Sequence, residues 1–343
     1  MTNKLLVGGT FDPQGGKPSS IVATLAKCLN WPSLNGGNLK QLLQIDIASL
    51  DVLLWMPNIS NEEEKLLPDL KKLNPKLFLI QSKRVVEKSY TESDIIGRLL
   101  ASHSNLGLMI TQENSRYHFK LLDPLGNLWT DTDSIPELAT AITHRVDHLL
   151  NMTRIGTQPA GEKPVFSVDE SFIKIIRDYG SQFTRYVNAV NPNRLLGNAS
   201  TRCTKGFPSV RGSEHIYVTR RNVDKTSLSS EDFVAVLPDT DVVKYFGKDK
   251  PSVDTPIQLR LFQYYPNVNY MLHGHVYLET PWITESKIPC GYIEEFQEIT
   301  KLVPDPASSN FSINLRGHGC LILAYDLEYF KNLKLIGRLF PEV

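Results

Sequence analysis

Along the first 150 residues, short apolar runs alternate with segments whose apolar residues recur at helical spacing. The runs predict strands at 5–7, 51–56, 76–80, 106–110 and 119–122. The periodic segments predict helices at 20–29, 92–102 and 136–150. Near-continuous apolar strands separated by helices are typical of a parallel sheet covered on both faces. We therefore predict a Rossmann- or flavodoxin-like α/β domain over residues 1–152.

The pattern breaks at residues 153–164, where two Pro and two Gly fall within twelve residues without periodicity. Such a segment predicts a linker. Beyond it the pattern predicts helices at 171–189 and 257–264 and strands at 216–219, 233–237, 269–273 and 320–324. A second domain is therefore predicted over residues 165–343.

Composition narrows the class of protein. The 343 residues are enough for about two domains, and 37 Lys and Arg balance 37 Asp and Glu. A net charge of zero gives no support for a nucleic-acid partner. No apolar run approaches the roughly 18 residues of a membrane span, and no secretory signal is visible. The four cysteines are scattered without a CxxC pair, so we expect a cytoplasmic protein with no membrane and no nucleic-acid partner.

A glycine-rich segment at residues 8–20 lies between the first predicted strand and helix, where backbone N–H groups can bind phosphate. Its spacing matches neither G-x-G-x-x-G nor the P-loop. It begins like a nucleotidylyltransferase motif, but Gln14-Gly-Gly-Lys17 stands where that motif has its two histidines. A simple turn that requires glycine and a pocket for a nucleotide or small ligand remain the open interpretations.

Three histidines indicate a metal site. His273 and His275 end a predicted strand two residues apart, and residues i and i+2 of a strand point to the same side. An isolated H-x-H pair is more often structural, but His318, flanked by glycines, supplies a third imidazole. Three imidazoles leave one zinc position open, as in catalytic sites. Asp254 is a candidate metal ligand or base, or alternatively the N-cap of the helix that begins at Thr255-Pro256.

The second half also resembles a known family. Its motifs follow the order and spacing of the class II aldolase/adducin superfamily, which includes L-fuculose-phosphate aldolase and L-ribulose-5-phosphate 4-epimerase. They lie at residues 197–202, 216–219, 229–234, 250–254, 273–275 and 317–319. The resemblance covers roughly residues 170–335.

This resemblance implies an α/β/α domain with a mainly antiparallel sheet, and Zn²⁺ on His273, His275 and His318. It implies active sites at the interfaces of a cyclic homotetramer. The implied function is that of a zinc-dependent lyase or epimerase, acting on a sugar phosphate or related phosphorylated ketose through a metal-stabilised enediolate. The family's aldolases have glutamate at the position of Asp254, and its epimerases have aspartate.

The family's phosphate pocket maps onto Asn198, Thr219 and Ser252, but Arg220 replaces the glycine that follows Thr219. Arg220 is therefore either an anion-binding residue or a solvated surface residue.

The loop at residues 288–296 supplies acid/base candidates, because relatives often carry a tyrosine or carboxylate there that reaches across a subunit boundary. Tyr292 is the proton-donor candidate. Of the adjacent Glu294 and Glu295 only one is expected to face inward, and Glu295 is the acid/base candidate. The alternative is an exposed helix start. Nearby Cys290 and Cys320 are expected to be buried small hydrophobes.

Two other functions remain open. Adducins keep this fold without the zinc ligands, so one alternative is a non-catalytic adducin-like binding or scaffold protein. The other is a bifunctional protein that processes a nucleotide through the first domain.

Overall fold

A computed structural model describes most of the chain. The described residues are 2–8, 20–35, 47–56, 67–85, 90–113, 116–187, 197–202, 215–237 and 242–337. The chain divides between Asn151 and Met152 into two compact units. Residues 9–19, which hold most of the glycine-rich segment, lie outside the described residues. Within the described part, none of the helices has both the length and the apolar character that crossing a membrane requires.

The first unit is built on a seven-stranded sheet with the order β2-β1-β3-β4-β5-β6-β7. Its strands are β1 (Lys4–Gly8), β2 (Ser33–Asn35), β3 (Val52–Trp55), β4 (Phe78–Val85), β5 (Leu106–Glu113), β6 (Arg116–Leu122) and β7 (Leu128–Thr132). Its helices are α1 (Ser20–Leu29), α2 (Leu67–Leu73), α3 (Glu92–Ser102) and α4 (Ile135–Leu150).

The predicted parallel sheet is correct only for the first five strands. Strands β2, β1, β3, β4 and β5 pair in parallel, whereas β5–β6 and β6–β7 are antiparallel. The reason is connection length, because β5 ends at Glu113 and β6 begins at Arg116. So short a connection closes a hairpin but cannot hold the crossover helix that parallel neighbours need.

The parallel strands are buried on both faces, as their apolar runs predict. Leu53 and Trp55 pack with Leu67 and Leu70 of α2 in one cluster, and Leu54, which points the other way, is equally inaccessible. Helices on both sides of a parallel sheet produce this pattern. The α/β fold class predicted for this half is confirmed.

The second unit is built on an eight-stranded sheet with the order β15-β16-β13-β9-β10-β11-β12-β8. Its strands are β8 (Gly156–Gly161), β9 (Asn198–Thr201), β10 (Ile216–Thr219), β11 (Phe233–Leu237), β12 (Val242–Phe246), β13 (Tyr270–Gly274), β14 (Tyr277–Leu278), β15 (Phe311–Leu315), β16 (Gly319–Ala324) and β17 (Leu335–Gly337), and β14 pairs with β17 in a separate ribbon. Its helices are α5 (Glu170–Val187), α6 (Thr255–Tyr264) and α7 (Glu294–Leu302). The sheet is antiparallel apart from the β12–β8 pair.

The segment at 153–164 is not the free linker that its composition predicts. Strand β8 lies within it and pairs in parallel with β12 at the sheet edge, from Val242↔Gly156 to Phe246↔Gly161. An edge strand needs only one hydrogen-bonding side, so it tolerates the missing N–H of Pro159. Because most of its side chains face solvent, it carries no apolar alternation for sequence analysis to detect.

Alternate residues of the sheet serve two cores on opposite faces. Met271 and Leu323 belong to a cluster with apolar residues of α6 and α7, whereas Leu272 and Ile322 belong to a cluster with residues of α5. The second unit is therefore the predicted α/β/α arrangement with a mainly antiparallel sheet. Antiparallel pairing of β13 with β16, in the register Gly274↔Cys320, brings the end of one strand to the start of the other.

Candidate metal centre

The three predicted histidines meet where β13 ends and β16 begins. His273 lies in β13, His275 follows that strand, and His318 immediately precedes β16. Their ring centroids are 5.0 Å apart for His273–His275, 4.6 Å for His273–His318 and 5.0 Å for His275–His318. One ligand atom from each lies within 4.8 Å of the others, and all three side chains are buried. This spacing suits one shared ion, because ligand nitrogens on a single zinc are separated by a few ångströms.

Gly319 makes this close approach possible. A Cβ on Gly319 would lie 2.1 Å from the carbonyl oxygen of Gly274 and 2.7 Å from the Cα of His275, and Gly319 has a φ of +146°. A side chain there would force apart the two chain segments that carry the histidines. Gly274 serves another contact, because a Cβ on it would lie 2.5 Å from the ring of Phe183 in α5.

The outer nitrogens of two histidines are held by the protein. His273 Nδ1 is 2.8 Å from the backbone oxygen of Cys320, so it is the donor, and the lone pair is on Nε2. His318 Nδ1 is 2.6 Å from Oε1 of Glu295. Metal-binding histidines are typically oriented by such carbonyl or carboxylate partners. Within the described residues, His273 Nε2 is buried without a hydrogen bond, and a metal ion would satisfy it.

Burial and neighbouring charges shift the two rings in opposite directions. Burial, with a further contribution from His318, lowers the pKa of His273 well below its ordinary value. Burial also disfavours the charged form of His318, but Cys290 and Glu295 outweigh it and raise the pKa of His318 well above its ordinary value. A neutral His273 is ready to ligate, whereas His318 must release a proton when a cation binds.

Asp254 lies beside this cluster at the start of α6. It occupies the N-cap position without making a side-chain cap hydrogen bond, so its local role is not that of a capping side chain. Its Oδ2 accepts a hydrogen bond of 2.8 Å from Asn198 Nδ2, and Oδ1 has no hydrogen bond within the described residues. Burial raises the pKa of Asp254, against smaller opposing effects of His318, the backbone N–H of Gly291 and Asn198. The sequence predicts a functional carboxylate at this position. In the structure it is buried, and its raised pKa means that it binds a proton at higher pH than an ordinary aspartate does.

Asn198 makes internal contacts through its side-chain amide, and its role as a phosphate ligand stays a prediction. It lies opposite His273 in the β9–β13 pairing. Its Nδ2 is bonded to Asp254 and its Oδ1 accepts from Gln258 Nε2 of α6. Both ends of the amide are therefore engaged in holding Asp254. No motif in the sequence indicates Gln258, because a glutamine inside a helix carries no spacing signal.

Cys290 belongs to the site, contrary to its expected role as a small hydrophobe. Its Sγ is 3.0 Å from His318 Nε2. Cys290, Asp254 and His318 form a second group whose ligand atoms lie within 4.8 Å of one another. A lone cysteine outside any ligand motif gives no signal of this in the sequence, since the contact depends on the loop returning to the strand ends.

The two adjacent glutamates face in different directions. Glu295 is buried against His318, whereas Glu294 accepts a hydrogen bond of 2.8 Å from the backbone N–H of Thr153. The geometry favours an orienting role for Glu295, and its role as an acid/base stays a prediction. Tyr292 is buried with its ring against the guanidinium of Arg154, whose Cζ is 4.4 Å from the ring centroid. Its role as proton donor also stays a prediction.

The remaining predicted phosphate-pocket residues are bound within the protein. Thr219 Oγ1 accepts from the Ala199 N–H at 3.1 Å, and Ser252 Oγ accepts a long bond of 3.4 Å from the Asp254 N–H. Arg220 forms an ion pair of 2.9 Å with Asp232. It is therefore neither a free anion-binding group nor a simply solvated one.

Comparison with known proteins now identifies the second unit. The family described as class II aldolase and adducin N-terminal domain matches residues 193–328. The matched residues lie within the second unit. The match supports a metal-dependent function of the lyase type.

Individual relatives are more distant. A methylthioribulose-1-phosphate dehydratase of Acidiphilium cryptum (strain JF-5) is 29% identical over 119 residues, which are 35% of this chain and 51% of the dehydratase. The chain thus spans about half the length of this curated relative.

Two solved structures show a distant likeness to this chain. YgbL of Klebsiella pneumoniae, a candidate aldolase/epimerase/decarboxylase, has 12% identity and a TM-score of 0.30, over 47% of this chain and 83% of YgbL. The DNA/pantothenate metabolism flavoprotein of Streptococcus pneumoniae has 13% identity and a TM-score of 0.34, over 43% of this chain and 100% of that one.

Proposed function

We propose that the second unit is a zinc-dependent lyase that acts on a phosphorylated ketose. The observation that carries this proposal is the cluster of three buried histidines, with ligand atoms within 4.8 Å of one another and an unbonded, buried Nε2 on His273. Buried imidazole nitrogens that have lost contact with water need another partner, and a metal ion would supply one.

His273, His275 and His318 would hold the metal. Imidazole donors with a thiol close by favour zinc over magnesium or calcium, which prefer oxygen ligands. When bound, the ion supplies Lewis acidity to an oxygen of the substrate. Glu295 holds the ring of His318, and the Cys320 carbonyl holds that of His273, so the chain fixes the direction of both ligands.

Asp254 is the residue proposed to move a proton. Burial raises its pKa, the direction expected of a buried carboxyl group that takes up and releases a proton. Asn198 fixes Oδ2 and leaves Oδ1 to face a substrate. Asp254 is also close enough to His318 to act as a further metal ligand, and in that case the proton would move through another group. Tyr292 is the proposed donor for that role.

The first substrates to test follow from the family and its relatives. Methylthioribulose 1-phosphate is named by the dehydratase relative. L-Ribulose 5-phosphate and L-fuculose 1-phosphate represent the epimerase and aldolase branches. A homotetramer, the assembly that the resemblance implies, is part of this proposal and is measured by light scattering on the purified chain.

The decisive experiment is elemental analysis of the purified full-length protein. We expect about one zinc per chain, and loss of that zinc in a double variant with His273→Ala and His275→Ala. His144→Ala removes an exposed histidine from α4 of the first unit and serves as the matched control, which should keep the zinc. Protein without zinc, or zinc that persists in the double variant, would exclude this function and favour the adducin-like scaffold.

A further inference from the structure

Two arginines from separate segments converge on the loops beside Asp254 and Cys290. Arg154 pairs with Tyr292 in an isolated antiparallel bridge, and its Nη2 lies 3.4 Å from the Cys290 backbone oxygen. Arg221, which follows β10, donates through Nε to the Pro251 oxygen at 2.9 Å. Arg154 is thus held beside the loop that carries Cys290, and Arg221 beside the segment that leads into Asp254.

The charges of these side chains act on one another. Asp254 is stabilised in its charged form by Arg154, among other groups. Burial lowers the pKa of Arg221, Asp254 opposes that change, and Arg154 adds to it. The segments that carry these groups adjoin, because a Cβ on Gly291 of the Cys290 loop would lie 2.9 Å from the backbone oxygen of Val253, next to Asp254.

Arg154 and Arg221 differ from Arg220 in their ion pairs. Within the described residues, no carboxylate forms an ion pair with Arg154 or Arg221, in contrast to Arg220, which is paired with Asp232. Asp254 acts on both arginines only through space, so two guanidinium groups share one carboxylate, and an oxyanion bound by both would offset their repulsion.

We propose that Arg154 and Arg221 form the site that binds the phosphate group of the substrate. This inference rests on the proposed function, because it places the anion beside the histidine cluster. It also supplies a way to bind phosphate although the hydroxyl and amide groups of the predicted phosphate pocket bond to other groups of the protein. A planar guanidinium binds two phosphate oxygens at once, so two arginines replace several weaker donors.

The experiment measures binding of inorganic phosphate to the full-length protein at constant ionic strength, in chelator so that metal plays no part. The readouts are calorimetry and the shift of the unfolding midpoint, which grows with ligand occupancy. We expect Arg154→Gln and Arg221→Gln each to weaken phosphate binding about tenfold, since a hydrogen bond to a charged group contributes at least that much. Lysine variants at the same positions keep the charge and are expected to recover part of the affinity.

Arg177→Gln is the matched control, because it removes a guanidinium that is paired with Glu170 on α5. It should leave phosphate affinity within about twofold of the wild type. Unfolding midpoints without phosphate report whether each variant is folded. Acetate at the same ionic strength tests whether the site takes any carboxylate, and we expect it to stabilise the protein less than phosphate does.

Several outcomes would overturn the assignment. These are wild-type protein that binds no phosphate, folded glutamine variants with unchanged affinity, a larger loss in Arg220→Gln than in either variant, or stronger stabilisation by acetate. Failure of the proposed function is separate. Zinc with arginine-independent phosphate binding overturns only the arginine site, whereas arginine-dependent phosphate binding without zinc overturns only the lyase.

Discussion

Among the described residues each unit buries one aspartate, and the two differ in how their oxygens are hydrogen-bonded. Asp123 of the first unit follows β6, and both of its oxygens are fully engaged. Oδ1 accepts the N–H groups of Leu125 and Asn127, and Oδ2 accepts from the side chains of Asn127 and Trp129. Arg145, itself buried, adds an ion pair at 3.7 Å.

Asp254 of the second unit is buried to a similar degree but has a hydrogen bond from Asn198 on one oxygen and none within the described residues on the other. A carboxylate whose lone pairs are all occupied stabilises a turn and has nothing left for a ligand. One that is buried and half satisfied costs stability and is kept where chemistry needs it. This difference separates a structural acid from a functional one.

The largest expected effect is on folding of the first unit. Asp123→Ala leaves the charge of Arg145 buried without its partner, along with several unpaired donors. We expect the free energy of unfolding to fall by about 3–5 kcal/mol, the usual cost of breaking a buried pair. Urea denaturation of the full-length protein measures it. A change below about 1 kcal/mol would mean that the contacts of Asp123 are not what holds this turn.

Asp254→Asn is expected to have the opposite effects to Asp123→Ala, a loss of turnover without a loss of stability. The amide keeps the shape and the contact with Asn198 and removes a buried charge, so we expect the unfolding midpoint to stay the same or to rise. Turnover of whichever phosphorylated ketose proves to be the substrate should fall by at least about 100-fold, the usual contribution of a general acid or base. An Asp254→Asn enzyme with wild-type turnover, or one that unfolds as easily as Asp123→Ala, would remove the distinction between the two residues.

Sequence patterns predict the fold well where burial imposes a period. The helix predicted at 20–29 and the strands predicted at 216–219 and 233–237 have the bounds that the structure gives them. Strand β8 escapes prediction because an exposed edge strand with a proline buries too little to show a pattern. Strand β7 has three half-buried residues followed by the exposed Asp131, so it also lacks a pattern that predicts a strand.

The site residues also differ in whether a regular pattern in the sequence predicts them. His273, His275 and His318 are predictable because a strand fixes where residues two apart point, and flanking glycines mark the third. The sequence does not predict Gln258, Cys290 or the proposed pair Arg154 and Arg221, since no local spacing encodes how the loops and the helix that carry them pack. Arg220 is the opposite case. The sequence shows its position in the motif but not its ion pair with Asp232.

Glu295 is a further buried carboxylate to compare with the two aspartates. It contacts the candidate metal centre through His318. Glu295→Gln keeps the size of the side chain but replaces the charged acceptor of the His318 Nδ1 hydrogen bond. We expect metal affinity to fall by about 10–100-fold, as for other residues that orient a ligand. Competition with a chromophoric chelator measures it, and Glu294→Gln is the control because Glu294 bonds to Thr153 instead. Equal losses in the two variants would contradict the orienting role.

The smallest expected effect is in the pH dependence of stability, measured in chelator. Burial raises the pKa of Asp254 from its ordinary value of 3.8, so the folded state keeps this proton at pH values where the unfolded state has lost it. Ionisation therefore costs the folded state more, and the free energy of unfolding falls as pH rises from the ordinary carboxyl range through the raised pKa, and then levels off.

Each unit of that pKa shift is equivalent to about 1.4 kcal/mol. Asp254→Asn has no such proton, so wild type minus variant should decline over that window and be flat above it. Asp123→Asn provides the comparison, because the wild-type carboxylate there accepts hydrogen bonds on both oxygens and pairs with Arg145. The opposite result is that the free energies of unfolding of the wild type and of Asp254→Asn change with pH in parallel across the window. In that case burial does not disfavour the charged form of Asp254, and the two aspartates differ only in their contacts.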